Sequence, residues 1–326
     1  MINDGRLSVC TVSYGHASHL ELNSKLIERL NRNASERVDW LVAENAPASN
    51  ANRLKGTERA FSHYPGNVDS SLGASDQHAQ ALNALLRHVT HRFVLVLDPD
   101  FYIVRDDWIE AVTMHMKARR LAFFGAPWHP RYVENYRYFP AVHCMFIDRT
   151  RVSLAAVDFR PLQADDRPIQ SLVHERPSLL SRITRRLHLD ERKRKPWDTG
   201  TRIYQRFGAD PTIQTECLVP VYRIRQDWLG PNDPLSLKNR LLETVLPDDR
   251  CYLPKRTNSY TTSGFAERGF AIPELPPMWE QLFWQNKPFG LHIRRSFASA
   301  NRDPVRELDT CRHVIAALCA RTHPAS

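Results

Sequence analysis

A chain of 326 residues with 42% apolar and 25% charged residues can bury a substantial core, as one large domain or two modest ones. No apolar run approaches the roughly 20 residues that a membrane span needs. The N-terminus also lacks the apolar segment of a signal peptide, so a cytoplasmic chain is expected. Six scattered cysteines without a CxxC pair argue for reduced thiols, against a disulfide frame or a zinc site.

The net charge of +9 is partly local. Between Arg182 and Lys195, seven Lys/Arg stand against Asp190 and Glu191. Such a cluster is either a solvated face or a contact for a polyanion such as anionic lipid headgroups or nucleic acid.

In chain order, Leu7 to Tyr14 reads as a first strand, rich in β-branched residues and closed by Gly15. A helix with Leu22, Leu26, Ile27 and Leu30 on one face follows it. Val38 to Ala43 is a second strand ending in Glu44-Asn45, and Phe61 to Tyr64 a short third before the Pro65-Gly66-Asn67 turn. Ser75 or Asp76 opens a helix carrying Leu82, Leu85, Leu86 and Val89 at i, i+3, i+4, i+7 spacing. Phe93 to Leu97 has the unbroken apolar character of a strand buried on both faces. Asp106 caps a helix with Trp108, Ile109, Val112 and Met116 inward, and Leu121 to Phe124 and Ala141 to Ile147 are further strands, the latter ending at Asp148. This alternation predicts an α/β architecture with a mainly parallel, doubly wound sheet over residues 1–150.

The second half is looser. Residues 160–196 are rich in Pro and Arg, with one short helix expected around Leu179 to Leu187. Pro196-Trp197-Asp198-Thr199-Gly200 precedes a helix to Phe207 closed by Gly208. Residues 228–278 read as long loops, Gly290 to Arg295 as a short strand and Val305 to Ala320 as an amphipathic terminal helix.

The chemistry concentrates at Asp98-Pro99-Asp100, where the central strand ends. Alternate residues of an extended chain share a side, so the two carboxylates can converge just beyond the carboxyl end of a strand, where open α/β sheets bind ligands. Hard oxygen ligands there suit Mg²⁺ or Mn²⁺. Asp-Pro-Asp is also ordinary turn chemistry.

These residues resemble the GT-A fold glycosyltransferases, most closely the family-2 group, over residues 7 to 110. Thr11-Val12-Ser13-Tyr14 is similar to the family's opening strand at the nucleotide base. Glu44 stands where the family usually places an acidic group at the base or ribose. The Asn67, Gly73-Ala74 and Asn83 segment resembles its Asn/Gly-rich loop, and Asp98-Pro99-Asp100 its DxD motif.

The resemblance implies a GT-A (Rossmann-like) mixed, mainly parallel sheet flanked by helices. Residues 1–150 would form the nucleotide-sugar-binding half, and 151–326 the irregular, loop-rich acceptor half of the same domain. It also implies a hexosyltransferase-like enzyme using Mn²⁺ or Mg²⁺, a nucleotide-diphosphate sugar donor and a glycan or glycolipid acceptor, as in cell-surface polysaccharide assembly. Thr11, Ser13, Tyr14, Glu44, Asn67, Gly73 and Asp98 would then meet the donor, and Asp98 and Asp100 the metal.

A C-terminal histidine completes the metal site in many enzymes of this fold, which implicates His292, with Arg294 or Arg295 on the diphosphate. The same residues also fit a surface histidine beside solvated arginines. The family's base in the second half corresponds to Asp198, a residue equally suited to capping the helix after it. An inverting mechanism needs that base. Trp128, His129, Tyr132, Tyr136 and Tyr138 either stack on sugars or pack a connection, and His143 and Asp148 flank a strand as a polar pair.

Two alternatives remain open. A nucleotidyltransferase of similar fold lacks support, because Ser13-Tyr14-Gly15-His16 stands where its Gly-rich loop with Arg and Lys would be. A non-catalytic polyanion or nucleic-acid binder would use residues 182–195 and give steep salt dependence. Under the transferase reading those residues offer a peripheral contact to anionic membrane, at the inner membrane surface, and no nucleic acid is expected.

Overall fold

The computed structural model describes residues 5–56, 60–66, 68–127, 138–162, 198–222, 279–285, 287–293 and 304–322. The first part comprises β1 (Leu7–Ser13), α1 (Ala17–Leu30), α2 (Ala34–Arg37), β2 (Val38–Glu44), β3 (Ser62–Pro65), α3 (Ala74–Leu85) and β4 (Phe93–Leu97). It continues with β5 (Phe101–Ile103), α4 (Trp108–Arg119), β6 (Phe123–Gly125) and β7 (Cys144–Asp148). The second part adds α5 (Thr201–Phe207), β8 (Thr215–Cys217), β9 (Val219–Tyr222), β10 (Trp279–Trp284), β11 (Lys287–Ile293) and α6 (Pro304–Thr322).

A seven-stranded sheet in the order β3-β2-β1-β4-β7-β6-β8 forms the centre. β3, β2, β1 and β4 run parallel, β6 and β8 run parallel, and β7 is antiparallel to both β4 and β6. The mixed, mainly parallel sheet flanked by helices is therefore present. Its chemistry follows from β4: Phe93, Leu95 and Leu97 enter one apolar layer while Val94 and Val96 enter the other. Residues of α1, α4 and α6 cover the first face, among them Leu20, Ile109 and Leu318. Leu82 and Leu85 of α3 with Ile203 and Phe207 of α5 cover the second.

The chain lays down β1, β2 and β3 outward and then returns to β4 on the other side of β1. The order reverses between β1 and β4, and in such sheets the ligand crevice opens outside the carboxyl ends of the two strands at the reversal. Ser13 and Asp98 lie there. Gly125 shows how tightly the next strands approach: its φ is +154°, and a Cβ would sit 2.0 Å from the Cys144 carbonyl oxygen. Only glycine fits.

A second, four-stranded sheet in the order β5-β11-β10-β9 packs into the first layer. Sequence reading anticipates only part of it. β5 has three residues, and all six residues of β10 are buried, so Trp-Glu-Gln-Leu-Phe-Trp shows none of the alternation that marks a half-exposed strand.

Two helix starts also differ from expectation. α3 begins one residue earlier, with Gly73 at its cap, and α4 is capped by neither Asp106 nor Asp107 through a side chain. The Ile109 N–H instead donates to Asn31 Oδ1 at 3.0 Å, a partner supplied by the end of α1. Among the described residues Cys10, Cys144, Cys217, Cys311 and Cys319 are buried free thiols, and no helix is long and apolar enough to cross a membrane. The basic run 182–195, the helix expected near Leu179, the loops 228–278 and the aromatics Trp128 to Tyr136 lie outside the described residues.

Candidate active site

Asp98 and Asp100 converge, but through a turn and not an extended pair. The Phe101 N–H donates to the Asp98 carbonyl at 3.1 Å, closing a four-residue turn with Pro99 at its second position. Turn chemistry and ligand chemistry thus coincide. Asn23, buried on α1, fastens the turn from beneath by donating to the Pro99 and Phe101 carbonyls at 3.2 and 2.9 Å. The Asp98 N–H donates to the His143 carbonyl at 3.1 Å.

β5 leaves this turn and pairs antiparallel with β11, placing Phe101 opposite His292. The Ile293 N–H donates to the Asp100 carbonyl at 3.0 Å, so the ladder carries His292 to the motif. Gly290 makes the approach possible, since a Cβ there would meet the Phe101 ring at 2.8 Å. Potential ligand atoms of Asp98, Asp100 and His292 all lie within 4.8 Å of one another.

His292 Nε2 stands 3.9 Å from Asp100 Oδ1. That is too long for a hydrogen bond, yet within the roughly 3–4 Å that separates two ligands of one ion at bond lengths near 2.1 Å. Two carboxylates and one imidazole fit a hard-to-borderline divalent ion with positions left for phosphate oxygens.

The residues expected at the nucleotide behave unequally. Thr11 is fully buried and its hydroxyl accepts from the Trp40 indole at 3.0 Å, beneath the sheet and not at its mouth. Glu44 is buried and serves the loops. Its carboxylate accepts from Ser13 Oγ at 2.8 Å, Gly15 N at 3.2 Å, Ala46 N at 2.8 Å and Leu54 N at 3.1 Å. With two donors on each oxygen, the group is occupied in holding together the ends of β1 and β2. Tyr14 is 56% exposed at the same mouth, and Gly73 is exposed at the start of α3. Asn67, Arg294 and Arg295 lie outside the described residues.

Glu44→Ala would strand these four donors, three of them in buried hydrogen bonds. A loss of about 3 kcal/mol is expected, and a drop of roughly 5–10 °C in thermal melting checks it.

Asp198 precedes α5, but its side chain is not the cap; Gly200, at φ +83°, holds that position. The carboxylate instead accepts from the Thr199 N–H at 2.8 Å and faces Ser75 Oγ of α3 at 3.5 Å, while Thr199 Oγ1 donates to the Ser75 carbonyl. One turn along α3, His78 Nε2 is 3.8 Å from Asp98 Oδ1. Burial pushes the His78 imidazole down to about 4, and the nearby Asp198 carboxylate partly offsets this. His78 therefore stands between the motif and Asp198. Sequence reading missed it, because it is one of 14 histidines and sits on a helix whose visible signal is its apolar face.

The polar pair His143 and Asp148 is split by the direction of β7. Because this strand runs antiparallel to β4, its start adjoins Asp98 and its end lies at the opposite edge. His143 stacks on His292 with ring centroids 4.6 Å apart. Burial would raise the Asp148 carboxyl, but hydrogen bonds from Arg92 and Thr150 outweigh it and hold the group below the usual range. That end of the sheet is structural.

The strand order gives a mixed, mainly parallel sheet flanked by helices, consistent with a GT-A (Rossmann-like) fold, and the paired carboxylates and the returning histidine meet at its reversal. No family profile and no curated protein matches the chain. Solved structures similar to part of it include the mannosyltransferase PcManGT from Pyrobaculum calidifontis in complex with GDP-Man and Mn²⁺. It has 18% identity and a TM-score of 0.35, over 47% of this chain and 47% of that one. Residues 1–349 of TarS from S. aureus in complex with UDP match at 14% identity and 0.35, over 47% and 50%. The glycosyltransferase GlyE of Streptococcus pneumoniae TIGR4 matches at 13% identity and 0.35, over 66% and 45%. The matched part spans about half the length of these solved chains.

Proposed function

We propose that the protein is a metal-dependent glycosyltransferase that moves a sugar from a nucleotide-diphosphate sugar to a glycan or glycolipid acceptor, with inversion. The observation that carries this reading is the meeting of Asp98, Asp100 and His292 outside the strands where the sheet order reverses. These side chains would hold Mn²⁺ or Mg²⁺. Bound there, the ion supplies Lewis-acid neutralisation of the charge that develops on the departing diphosphate.

The remaining work falls to the chain itself. Tyr14 offers an exposed ring to the nucleotide base at the mouth of β1. Arg294 and Arg295, next in sequence to β11, grip the diphosphate through planar guanidinium groups. Asp198, fixed by the Thr199 N–H and Ser75, takes the proton from the acceptor hydroxyl. His78 lies between Asp98 and Asp198. Residues 182–195 would meet an anionic membrane at its surface.

Turnover of UDP- and GDP-sugars, measured with Mn²⁺ and again with EDTA, tests the reading. Metal-dependent release of nucleoside diphosphate is expected. A protein that neither binds nor consumes any nucleotide sugar under these conditions is not a glycosyltransferase.

A further inference from the structure

Behind His292, away from Asp100, lies a carboxylate that the reaction above does not use. Glu280 occupies the middle strand β10 directly opposite His292 in the ladder, and it is fully buried. Its Oε2 is 3.3 Å from His292 Nδ1, while Nε2 of the same ring faces Asp100. The ring also packs against two others: His143 stacks on it with planes 13° apart, and Phe101 lies at 5.7 Å. A carboxyl group without exposure is costly to bury unless it is matched by a partner, and a glutamine or an apolar residue would satisfy a mere packing role in β10 at lower cost. The expense is accounted for if the carboxylate sets the state of the imidazole.

We infer that Glu280 is a positioning residue for the cation site: it accepts the Nδ1–H of His292 and so holds the tautomer whose Nε2 lone pair faces Asp98 and Asp100. This inference rests on the proposed metal site and deepens it. Ligating histidines depend on such outer partners for ring orientation and basicity, and losing one weakens metal binding by about 10–100-fold. Glu280 with His143 and His292 could alternatively hold an ion by themselves, since their ligand atoms also cluster within 4.8 Å. The Glu280→Gln variant and the position of the imidazole proton separate that arrangement from a positioning role: a glutamine keeps an acceptor for the Nδ1–H but does not replace a carboxylate ligand, and an ion on Nδ1 leaves no proton there.

The test uses the full chain and Mn²⁺ alone, with free Mn²⁺ read by electron paramagnetic resonance. Wild-type protein is expected to bind one ion. Glu280→Met keeps the length and removes the acceptor, and should weaken binding about 10–100-fold. Glu280→Gln keeps an acceptor for the Nδ1–H and should recover much of that loss. His292→Ala marks the loss of the ligand itself.

Equal affinities in wild type and Glu280→Met overturn the positioning role and leave the metal site standing. Absence of binding in the wild type overturns both. Two bound ions in the wild type, falling to one in Glu280→Met, make Glu280 a ligand and overturn its positioning role. Nitrogen-15 spectra of histidine in Mg²⁺-loaded wild type give a readout independent of any variant's folding. The proton is expected on Nδ1 of His292, and a proton on Nε2 overturns the inference.

Discussion

Asp100→Ala is expected to lower Mn²⁺-dependent nucleotide-sugar turnover by roughly 10³-fold, equivalent to several kcal/mol of lost electrostatic stabilisation. The side chain supplies one of two carboxylates in the donor set. The Asp100 carbonyl accepts from Ile293 N, a backbone tie to β11 that the substitution leaves in place. The fold should therefore survive, with melting within about 2 °C of wild type. Asp100→Asn sharpens the comparison, since the amide keeps the shape and drops the charge. Both variants should need higher Mn²⁺ for half-maximal rate. Undiminished turnover in Asp100→Ala would remove the site from the chemistry.

Asp198→Asn should reduce kcat by about 10²–10⁴-fold, the usual worth of a general base, while donor binding stays unchanged. The amide still accepts from Thr199 N through its oxygen, so the local hydrogen bonds persist. The measurement is steady-state kinetics beside a separate donor titration. A kcat within about threefold of wild type would relieve Asp198 of the base role and favour a mechanism that retains configuration, where no such base is needed. Asp198 is a candidate through the family resemblance, and the structure places it near His78, which in turn lies 3.8 Å from Asp98.

How much of this is legible in the sequence depends on the reach of each signal. β1, α1, β2, α3 and β4 follow from local periodicity, because each buries its own apolar face against a sheet formed by its neighbours in sequence. The Asp-Pro-Asp turn was visible because proline and two carboxylates leave few local options. β5 and β10 were not: Phe101–Ile103 is too short to show a period, and Trp279–Trp284 is buried on both faces. Their partners lie far along the chain, where no window of sequence reaches. The direction of β7 was likewise hidden, so His143 and Asp148 looked alike although one borders the site and the other anchors the far edge. The position of Glu44 after β2 is plain in sequence, whereas its four donors emerge only when two loops fold over it.

The antiparallel contact of β5 with β11 has a consequence for how the protein comes to exist. The carboxylates are synthesised before the imidazole, so the proposed cation site stays unfinished until the later ribbon zips onto Phe101–Ile103. A slip of one residue in that zipper would turn His292 to the opposite side and bring an aliphatic neighbour, Leu291 or Ile293, round in its stead. The absent side chain at Gly290, filled by the Phe101 ring, acts as the notch that stops the slip. Nascent chains cut short of this ribbon would keep both acids and have no clasp.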